Sequence, residues 1–380
     1  MLSYWEQQSF TSYDHIIIGA GIVGLSTAIE LKGAFPTARV LILERGLLPT
    51  GATSRNAGFA CMGSVTELLD DLKTMNETEV FALFESRKKG LERLRNRLGD
   101  ATISYTTDGS YELISEDEIS ALDKIDHLNK LLLPITQKAP FKVANDKIGS
   151  FGFSQQYAKA LIENTCEGAI NTGKMLRALT DLAMKMGIEV KTGAEVNAFE
   201  EDEQSVVVHI NDQLRKQRLS FQSKTLTFCT NAFTRELLPE EDVVPGRGQV
   251  LITNPIPDLK FKGSYHFDKG YYYFRELDGR VLLGGGRNLD FEGEATTTFG
   301  LSEKIQADLD EKLHEIILPG TRFSVAQRWS GIMAFGSTKR PIVKAFSDKL
   351  FGAFRMGGMG VALGSEVASE VAGLVVKRMR

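Results

Sequence analysis

The chain has 380 residues, of which 42% are hydrophobic and 25% charged, and its formal net charge is −4. This length and composition predict about two domains with a large core. The acidic balance argues against nucleic-acid binding as the main task, because that requires a strongly basic surface. Three isolated cysteines (Cys61, Cys166 and Cys229) favour a reducing compartment. Since we find no secretory signal and no run of 18 apolar residues, we expect a cytoplasmic protein without a membrane span.

The first local pattern is a strand, a glycine-rich turn and a helix near the N terminus. His15–Ile18 is a short apolar run typical of a strand buried on both faces, and apolar residues keep helical spacing from Ile22 to Leu31. A second buried strand follows at Arg39–Glu44. These elements predict a right-handed βαβ unit, in which Ile22 opens a helix whose free N–H groups attract phosphate.

The glycines of this unit are spaced as in a dinucleotide-binding site. In the pattern G-x-G-x-x-G, Gly19 permits the tight turn, Gly21 lets the backbone approach a pyrophosphate and Gly24 lets the helix pack closely. Glu44 lies 20 residues after Gly24, where an acidic side chain hydrogen-bonds a ribose. We therefore assign Glu44 and the adjacent Arg45 to a dinucleotide. The alternative is that Glu44 forms a surface ion pair with Arg45 or a lysine.

The middle of the chain predicts two helices and two blocks of short strands. Apolar residues recur at helical intervals from Glu77 to Gly99 and from Lys174 to Gly187. The basic residues of the first helix fit a solvated face better than a nucleic-acid contact, because acidic residues alternate with them. The predicted strands are Ile188–Lys191, Glu195–Phe199, Val206–Ile210, Leu219–Phe221, Thr225–Cys229, Gln249–Thr253, Tyr271–Arg275 and Val281–Leu283.

A second glycine cluster lies near the C terminus. Leu350–Arg355 predicts a strand that leads into Gly357–Gly360 and then into a helix from Val361. Two helix starts with free N–H groups indicate a ligand that is long or that carries negative charge in two places. The alternative is a closely packed helix start without a ligand.

The segment Gly51–Gly58 (GATSRNAG) resembles the flavin-contacting loop of the D-amino-acid oxidase, glycine oxidase and sarcosine oxidase superfamily, and its R-N-A-G portion is most similar to the glutamylputrescine-oxidase-like branch. The similarity covers most of the chain, and the order and spacing of its motifs are specific for the superfamily but not for a substrate. Besides the N-terminal βαβ unit, these motifs are Gly187–Phe199, Pro245–Gln249, Gly284–Arg287, Trp329–Pro341 and Met356–Gly360.

The resemblance implies an α/β fold (α+β overall), with a Rossmann-like FAD-binding domain and a mixed-sheet substrate-binding domain between which the chain is interleaved. It places residues 12–76, 150–245 and 330–380 in the first domain, and residues 77–149 and 246–329 in the second. FAD is expected to bind non-covalently, because no cysteine lies near Gly331, where some relatives attach the flavin.

The resemblance also assigns FAD contacts to individual positions. Thr53, Ser54 and Arg55 would lie along the pyrophosphate and flavin, with the backbone of Asn56, Ala57 and Gly58 near the reactive ring edge. Val196 would hold the adenine through its backbone, and Thr230 and Asn231 would end a strand that returns to the cofactor. The second cluster would face the pyrimidine end of the flavin, through Gly357, Gly358, Met359, Gly360 and Val361.

An aromatic strand and an arginine are the candidates for the substrate site. Strand alternation places Tyr271, Tyr273 and Arg275 on one face. By family position Tyr273 faces the flavin and Tyr271 is a second candidate, while the alternative for both is ordinary core packing. Arg287 is the first candidate to bind a carboxylate through its fork of donors, although a solvated loop arginine is also consistent. The secondary candidates are Arg55 and Arg328.

Two departures from the family pattern bear on the reaction. Met333 stands where amino-acid oxidases often have the arginine of a G-x-R-P element, which weakens a D-amino acid or glycine assignment and permits a larger or less acidic amine. Leu282 stands near the position of the lysine that activates oxygen in sarcosine-oxidase-like members. The electron acceptor is therefore oxygen or a carrier. We include Met333 among the candidate catalytic residues, and we predict no metal site.

The resemblance implies an FAD-dependent oxidoreductase that transfers hydride to the flavin from the carbon beside the nitrogen of an amino acid or other small amine. The product would be an imine that water hydrolyses. Two alternatives stay open, an FAD-dependent 2-hydroxy acid dehydrogenase and a non-catalytic nucleotide-binding protein.

Overall fold

The computed structural model describes residues 2–212 and 216–379, and within them the chain forms two large sheets with helices packed between and around them. The strands are β1 Ser12–Ile18, β2 Val40–Leu43, β3 Phe59–Ala60, β4 Ser110–Ile114, β5 Phe141–Val143, β6 Ala160–Asn164, β7 Gly168–Ala169, β8 Glu189–Lys191, β9 Val196–Glu201, β10 Val206–Asp212, β11 Gln217–Phe228, β12 Val244–Thr253, β13 Ser264–Phe267, β14 Tyr272–Leu277, β15 Arg280–Gly285, β16 Val325–Phe335, β17 Ile342–Ala345 and β18 Leu350–Phe354.

The α-helices are α1 Tyr4–Phe10, α2 Ile22–Ala34, α3 Ala52–Arg55, α4 Val65–Asp71, α5 Glu77–Leu98, α6 Asp100–Ile103, α7 Ile125–Thr136, α8 Asp146–Phe151, α9 Thr172–Lys185, α10 Glu303–Lys312 and α11 Gly360–Met379. Short 3₁₀ helices span Glu116–Lys124, Asn231–Glu236 and Arg287–Leu289, and a π-helical turn spans Leu313–Ile317. None of the helices in the described ranges has both the length and the apolar character needed to cross a bilayer.

The first sheet contains the predicted βαβ unit and has the strand order β17-β18-β11-β1-β2-β8. Strand β1 lies between the parallel neighbours β11 and β2, and Ile16 and Ile17 are fully buried, as expected for a strand covered on both faces. Strands β9 and β10 form an antiparallel hairpin that extends this sheet from β11. The prediction of strand, helix and strand at this end of the chain is confirmed.

The two strands predicted at Leu219–Phe221 and Thr225–Cys229 form one continuous strand, β11. Gln222 and Lys224 interrupt the apolar run, but they alternate with buried residues and point to the exposed face of the sheet. A strand that is solvated on one face has this alternation, so the polar residues do not end it.

The second sheet has the order β16-β12-β15-β14-β13-β4-β6-β5 and is antiparallel except where β13 pairs with β4. One face carries an aromatic core, in which the rings of Tyr265 and Phe274 stack at 4.6 Å and those of Phe267 and Tyr272 at 4.9 Å. The opposite face carries Tyr273 and Arg275 toward the first sheet and its helices, in agreement with the predicted alternation.

The α/β fold class with mixed sheets is confirmed, whereas the exact domain boundaries stay a prediction. Several elements lie across the predicted segments, and β6 and α5 illustrate this. Strand β6 falls within residues 150–245 but pairs in the second sheet, and α5 falls within residues 77–149 but packs on α11 beside the first sheet. Gly90 permits the close approach of α5 to α11, because a Cβ at this position would lie 2.1 Å from the carbonyl oxygen of Ala362. Residues 213–215 and 380 of the predicted FAD-binding segments lie outside the described residues.

Candidate active site

A cavity of about 610 Å³ extends from the first glycine-rich turn to the second sheet. Its volume lies in the range typical of small-molecule and cofactor sites, roughly 300–1,000 Å³. The structure brings both glycine clusters, the loop at 51–58 and all four candidate catalytic residues to this one cavity. Of the predicted cofactor residues, those that do not line it are Gly24, Ser54 and Gly58.

The first glycine-rich turn has the tight geometry that a pyrophosphate requires. Gly19 has φ +104°, and a Cβ at Gly24 would lie 1.9 Å from the carbonyl oxygen of Gly19, so α2 packs directly against the turn. Gly24 therefore has a packing role behind the site. At the start of α2, the N–H of Ile22 donates to Oγ1 of Thr53 at 3.1 Å, and a Cβ on Gly21 would lie 3.0 Å from the same oxygen. The backbone of this turn therefore faces the cavity, and the Thr53 hydroxyl lies beside it.

The carboxylate of Glu44 is hydrogen-bonded to the backbone of this turn and of the segment after β2. Its two oxygens accept hydrogen bonds from the N–H groups of Ala20 and Gly46, both at 2.9 Å. Among the residues that the structure describes, no cation pairs with Glu44; Arg45 instead lies 3.8 Å from Glu236 and stacks on the ring of Phe233. The alternative of a surface ion pair at Glu44 is therefore not observed, and its remaining lone pairs can accept hydrogen bonds from a ribose.

Several side chains of the loop at 51–58 bond to the protein itself. Asn56 donates to the carbonyl oxygen of Thr53 at 2.7 Å and accepts from the N–H of Gly58 at 2.8 Å. The Ser54 hydroxyl donates to the carbonyl of Pro49 and points away from the cavity, which differs from the predicted contact with the cofactor. Arg55 donates to the carbonyl of Ser330 at 2.8 Å, joining the loop to β16.

Arg275 supports this loop from the second sheet, a role that the sequence did not reveal. Its Nη1 donates to the carbonyl oxygens of Ile170 at 2.9 Å, Gly58 at 3.2 Å and Ala57 at 3.3 Å. The side chain is buried, and desolvation lowers the pKa of its guanidinium. At Gly58, φ is +80° and a Cβ would lie 2.3 Å from the carbonyl oxygen of Ile170, so a side chain has no room there.

The second glycine-rich turn is held from two sides. Gly357 and Gly358 have φ +58° and +83°, and the N–H of Gly357 donates to the carbonyl of Ala334 at 3.0 Å. The N–H of Met356 donates to Oδ1 of Asn231 at 3.2 Å. The first N–H groups of α11, which begins at Gly360, have no acceptor within the helix, and Gly360 lines the cavity.

Arg287 and Tyr273 are candidate substrate residues whose side-chain polar groups have no partner among the residues that the structure describes. The Arg287 guanidinium lies 3.9 Å from the ring centroid of Phe335 and 4.7 Å from that of Phe291, and desolvation lowers its pKa. Within residues 2–212 and 216–379, no carboxylate pairs with it. Burial raises the pKa of Tyr273 to about 12, and its hydroxyl has no partner in the same ranges. Tyr271 lines the cavity closer to solvent and packs against Phe291.

Met333 fills the space between the second sheet and the second glycine turn. A Cβ on Gly248 would lie 2.7 Å from its Cε, and one on Gly358 would lie 3.5 Å from its Sδ. Leu282 is buried in a small apolar cluster and does not line the cavity. The secondary candidate Arg328 does not line the cavity and pairs with Asp310 at 2.7 Å.

A group of cavity-lining residues was not predicted from the sequence as part of the site. They come from four separate segments and are Glu67, His266, Phe291, Phe335 and Lys339. His266 lies on β13, the four-residue strand Ser264–Phe267. The alternation of apolar residues in this strand is too short, between polar neighbours, to predict a strand from the sequence. Glu67 lies 3.3 Å from Arg87 and 3.6 Å from Lys339, so it is already paired.

Two glycine-rich helix starts on one cavity, with an acidic residue directly after β2, define a dinucleotide-binding protein. The chain belongs to the FAD dependent oxidoreductase (DAO) family, whose match spans residues 14–374. The enzyme is therefore an FAD-dependent oxidoreductase, as predicted from the resemblance. The backbone cradle at Gly19–Gly24 and the length of the cavity fit this cofactor. The narrower assignment to the glutamylputrescine-oxidase-like branch stays a prediction.

The amino-acid sequence is similar to those of two enzymes. The chain is 26% identical to glycine oxidase from Pseudomonas aeruginosa over 310 residues, which cover 79% of this chain and 78% of that protein. A segment of 52 residues, 13% of this chain and 12% of the other, is 45% identical to L-2-hydroxyglutarate dehydrogenase from Escherichia coli.

Solved structures show the same fold. Glycine oxidase from Geobacillus kaustophilus aligns with a TM-score of 0.76 and 19% identity, covering 97% of this chain and 95% of that one. L-proline dehydrogenase from P. horikoshii aligns with a TM-score of 0.76 and 17% identity, covering 97% and 94%. At these identities the similarity concerns the fold alone.

Proposed function

We propose that this enzyme oxidises a carboxylate-bearing amine, an amino acid or a close relative, at the carbon beside the nitrogen. The observation that carries the proposal is the Arg287 guanidinium, which faces the cavity between two aromatic rings without an acidic partner in the described ranges. A desolvated guanidinium binds a carboxylate strongly, through two parallel hydrogen bonds.

FAD, when bound, supplies the acceptor for the hydride that leaves the substrate carbon. The residues that would hold it are Glu44 at the ribose, Gly19–Gly21 at the pyrophosphate, Val196 at the adenine and Gly357–Val361 at the pyrimidine end. The N–H groups that open α11 favour negative charge there. The resulting imine is released to water, which hydrolyses it.

Tyr273 and the aromatic side chains around Arg287 support the positioning that such a reaction needs. The Tyr273 ring packs edge-on against Phe59 at 5.5 Å, which fixes its orientation while leaving its hydroxyl free for the substrate. Phe291 and Phe335 shield Arg287 from water and so strengthen its attraction for an anion. Holding the carboxylate at one point limits the orientations of the reacting carbon.

Met333 supports an amine different from the smallest amino acids. It occupies the cavity wall where amino-acid oxidases often present an arginine, so a carboxylate bound by Arg287 lies on another side of the site. The glutamylputrescine-like motif and the relation to glycine oxidase are consistent with amine oxidation.

The test is anaerobic titration of the FAD-loaded enzyme with a panel of amino acids and other amines. The measurement is the loss of visible flavin absorbance that each compound causes. Arg287→Ala should raise the KM for the best substrate about 10- to 100-fold, since a hydrogen bond to a charged group contributes about 1.5–3 kcal/mol. Arg322→Ala, at an exposed arginine, is the matched control. No bleaching by any amine, or an unchanged KM in Arg287→Ala, would contradict the proposal.

A 2-hydroxy acid is the second candidate substrate, because Arg287 could bind its carboxylate equally and because of the 52-residue similarity to L-2-hydroxyglutarate dehydrogenase. Hydroxy acids therefore belong in the same panel of compounds. If only hydroxy acids bleached the flavin, the 2-hydroxy acid would become the preferred substrate class. Comparing reoxidation by oxygen with reoxidation by a dye would identify the type of acceptor.

A further inference from the structure

Three polar side chains stand side by side across adjacent strands of the second sheet. Tyr273 of β14 pairs in register with His266 of β13, which pairs in register with Glu112 of β4. Residues paired in this way share one face of the sheet. Tyr273 and His266 line the large cavity, whereas Glu112 is only 3% exposed. The row therefore leads from the cavity into the interior.

His266 has one ring nitrogen that the protein leaves unsatisfied. Its Nε2 is buried and, within the described part of the chain, has no hydrogen-bond partner. The ring itself is well fixed, since it packs edge-on against Phe59 at 5.1 Å. A buried polar nitrogen without a partner is costly, and in native proteins an ordered water commonly satisfies it.

A second, small cavity lies on the interior side of His266. Its volume is about 10 Å³, which is near the lower limit of roughly 10–15 Å³ of accessible volume that holds one water molecule. Besides His266, its polar lining consists of Ser64, Ser110, Glu112, Asn164 and Glu167. This lining offers enough donors and acceptors for a single water that bridges His266 and Glu112.

Glu112 is suited to exchange a proton near neutral pH. Its carboxylate accepts from the N–H groups of Val65 at 2.9 Å and Thr66 at 3.2 Å, and from the Thr66 hydroxyl. Burial nevertheless dominates and raises its pKa to about 7, although the bonds from Thr66 and Ser64 act in the opposite direction. The ionised form that accepts a proton is thus available at and above this pH.

We propose that His266 and Glu112, joined by one water in the small cavity, form a proton relay that deprotonates the ammonium group of the substrate. The proposal rests on the amine-oxidising function above. An N–H bond of the ammonium breaks, its electron pair stays on nitrogen, and the proton passes to the ring of His266. The opposite ring nitrogen gives up a proton through the water to the Glu112 carboxylate. Only the neutral amine can then lose hydride from the adjacent carbon.

Other charged groups surround the relay. Glu67 of α4 lies near His266 and pairs with Arg87 and Lys339. The other charged groups are Glu167, which precedes β7, Lys269, which follows β13, and Glu118, whose charge acts on Glu112. Glu67 is ion-paired, and Glu167 accepts hydrogen bonds from the N–H groups of Met62 and Gly63 and from the Ser110 hydroxyl. Glu112 is the carboxylate in register with His266.

The experiment measures the rate of anaerobic flavin bleaching by the best amine from pH 6 to 10 in the FAD-loaded enzyme. His266→Gln should slow bleaching at pH 7 about 100-fold, a typical contribution of a general base. Its rate should then rise with pH until the free amine itself predominates in solution. Glu112→Gln should produce a smaller loss with the same change in the profile. His127→Gln, at an exposed histidine on α7, should match the wild type.

A wild-type pH profile in either His266→Gln or Glu112→Gln overturns the relay. Because Glu112→Gln could also impair folding, a second measurement is independent of any variant. A high-resolution crystal structure of the wild type should show a water within hydrogen-bond distance of both His266 Nε2 and Glu112, and an empty small cavity also overturns the relay. Failure of the proposed function looks different, since no amine would then bleach the wild type.

Discussion

Oδ1 of Asn231 accepts a hydrogen bond from the backbone N–H of Met356 at 3.2 Å, across 125 positions of the sequence. The bond ties the segment after β11 to the turn that opens α11, so two predicted cofactor contacts depend on each other. Asn231 also has φ +46°, which asparagine tolerates better than most residues.

Asn231→Ala should destabilise the protein by about 2 kcal/mol, with roughly half from the lost hydrogen bond and half from the positive φ. Asn231→Gly separates the two effects, because glycine accepts this φ and loses only the bond. Denaturant unfolding and FAD titration measure both variants, and FAD affinity should fall in each. Equal stability of Asn231→Ala and the wild type would disprove the structural role of this bond.

Glu44→Gln should weaken FAD binding about tenfold or more, because a hydrogen bond to a charged acceptor contributes about 1.5–3 kcal/mol. The structure adds that this carboxylate also accepts the N–H groups of Ala20 and Gly46, so the variant should loosen the turn itself. Equilibrium dialysis of FAD against the apoprotein gives the affinity. Glu240→Gln, at an exposed glutamate, is the control, and similar affinities for the two variants would mean that Glu44 is misassigned.

Gly24→Ala should prevent FAD binding and reduce the yield of folded protein. Its Cβ would lie 1.9 Å from the carbonyl oxygen of Gly19, so α2 could not keep its position against the glycine-rich turn. Gly33→Ala is a matched control in the same helix, where nothing lies within 4 Å of the new Cβ. That control should stabilise the protein by up to about 1 kcal/mol, since alanine favours helix. The flavin content of purified protein and its melting temperature distinguish these outcomes.

Tyr273→Phe should lower kcat/KM about tenfold with little change in stability, because the hydroxyl that is lost has no partner in the described chain. Tyr272→Phe provides the opposite case. The Tyr272 hydroxyl donates to Asp308 at 2.8 Å outside the cavity, so its loss should cost about 1 kcal/mol of stability and leave kcat/KM unchanged. If both variants lost stability and neither lost activity, Tyr273 would be a core residue.

Glu112 should make the wild type less stable as pH rises from about 4.5 to 7. Its pKa in the folded protein is about 7, above the ordinary value of 4.5, so in this interval the folded state binds the proton that the unfolded state has released. The free energy of unfolding of the wild type, relative to Glu112→Gln, should therefore fall with pH by up to about 1.4 kcal/mol per pH unit and be constant above pH 8. Urea unfolding of both proteins at several pH values tests this, and parallel curves would show that Glu112 titrates normally.

The sequence by itself determined the elements whose evidence is local. The turn at Gly19–Gly24, the strands on either side of α2 and the helix at Glu77–Leu98 follow from glycine spacing and from apolar periodicity within about 25 residues. The resemblance of the loop at 51–58 indicated a flavin, because cofactor contacts made by backbone atoms require short residues in a fixed order.

Only the tertiary structure decided what surrounds the substrate. Arg287 lies against Phe335 and His266 pairs with Glu112, and in each case the partner comes from a distant part of the sequence. Ser54 fits the family pattern, yet its hydroxyl bonds to the carbonyl of Pro49 and points away from the cavity. A residue's local pattern fixes the face of the strand or helix on which it lies. Which polar partners it meets depends on how the sheets align, and that alignment is set by packing across the whole chain.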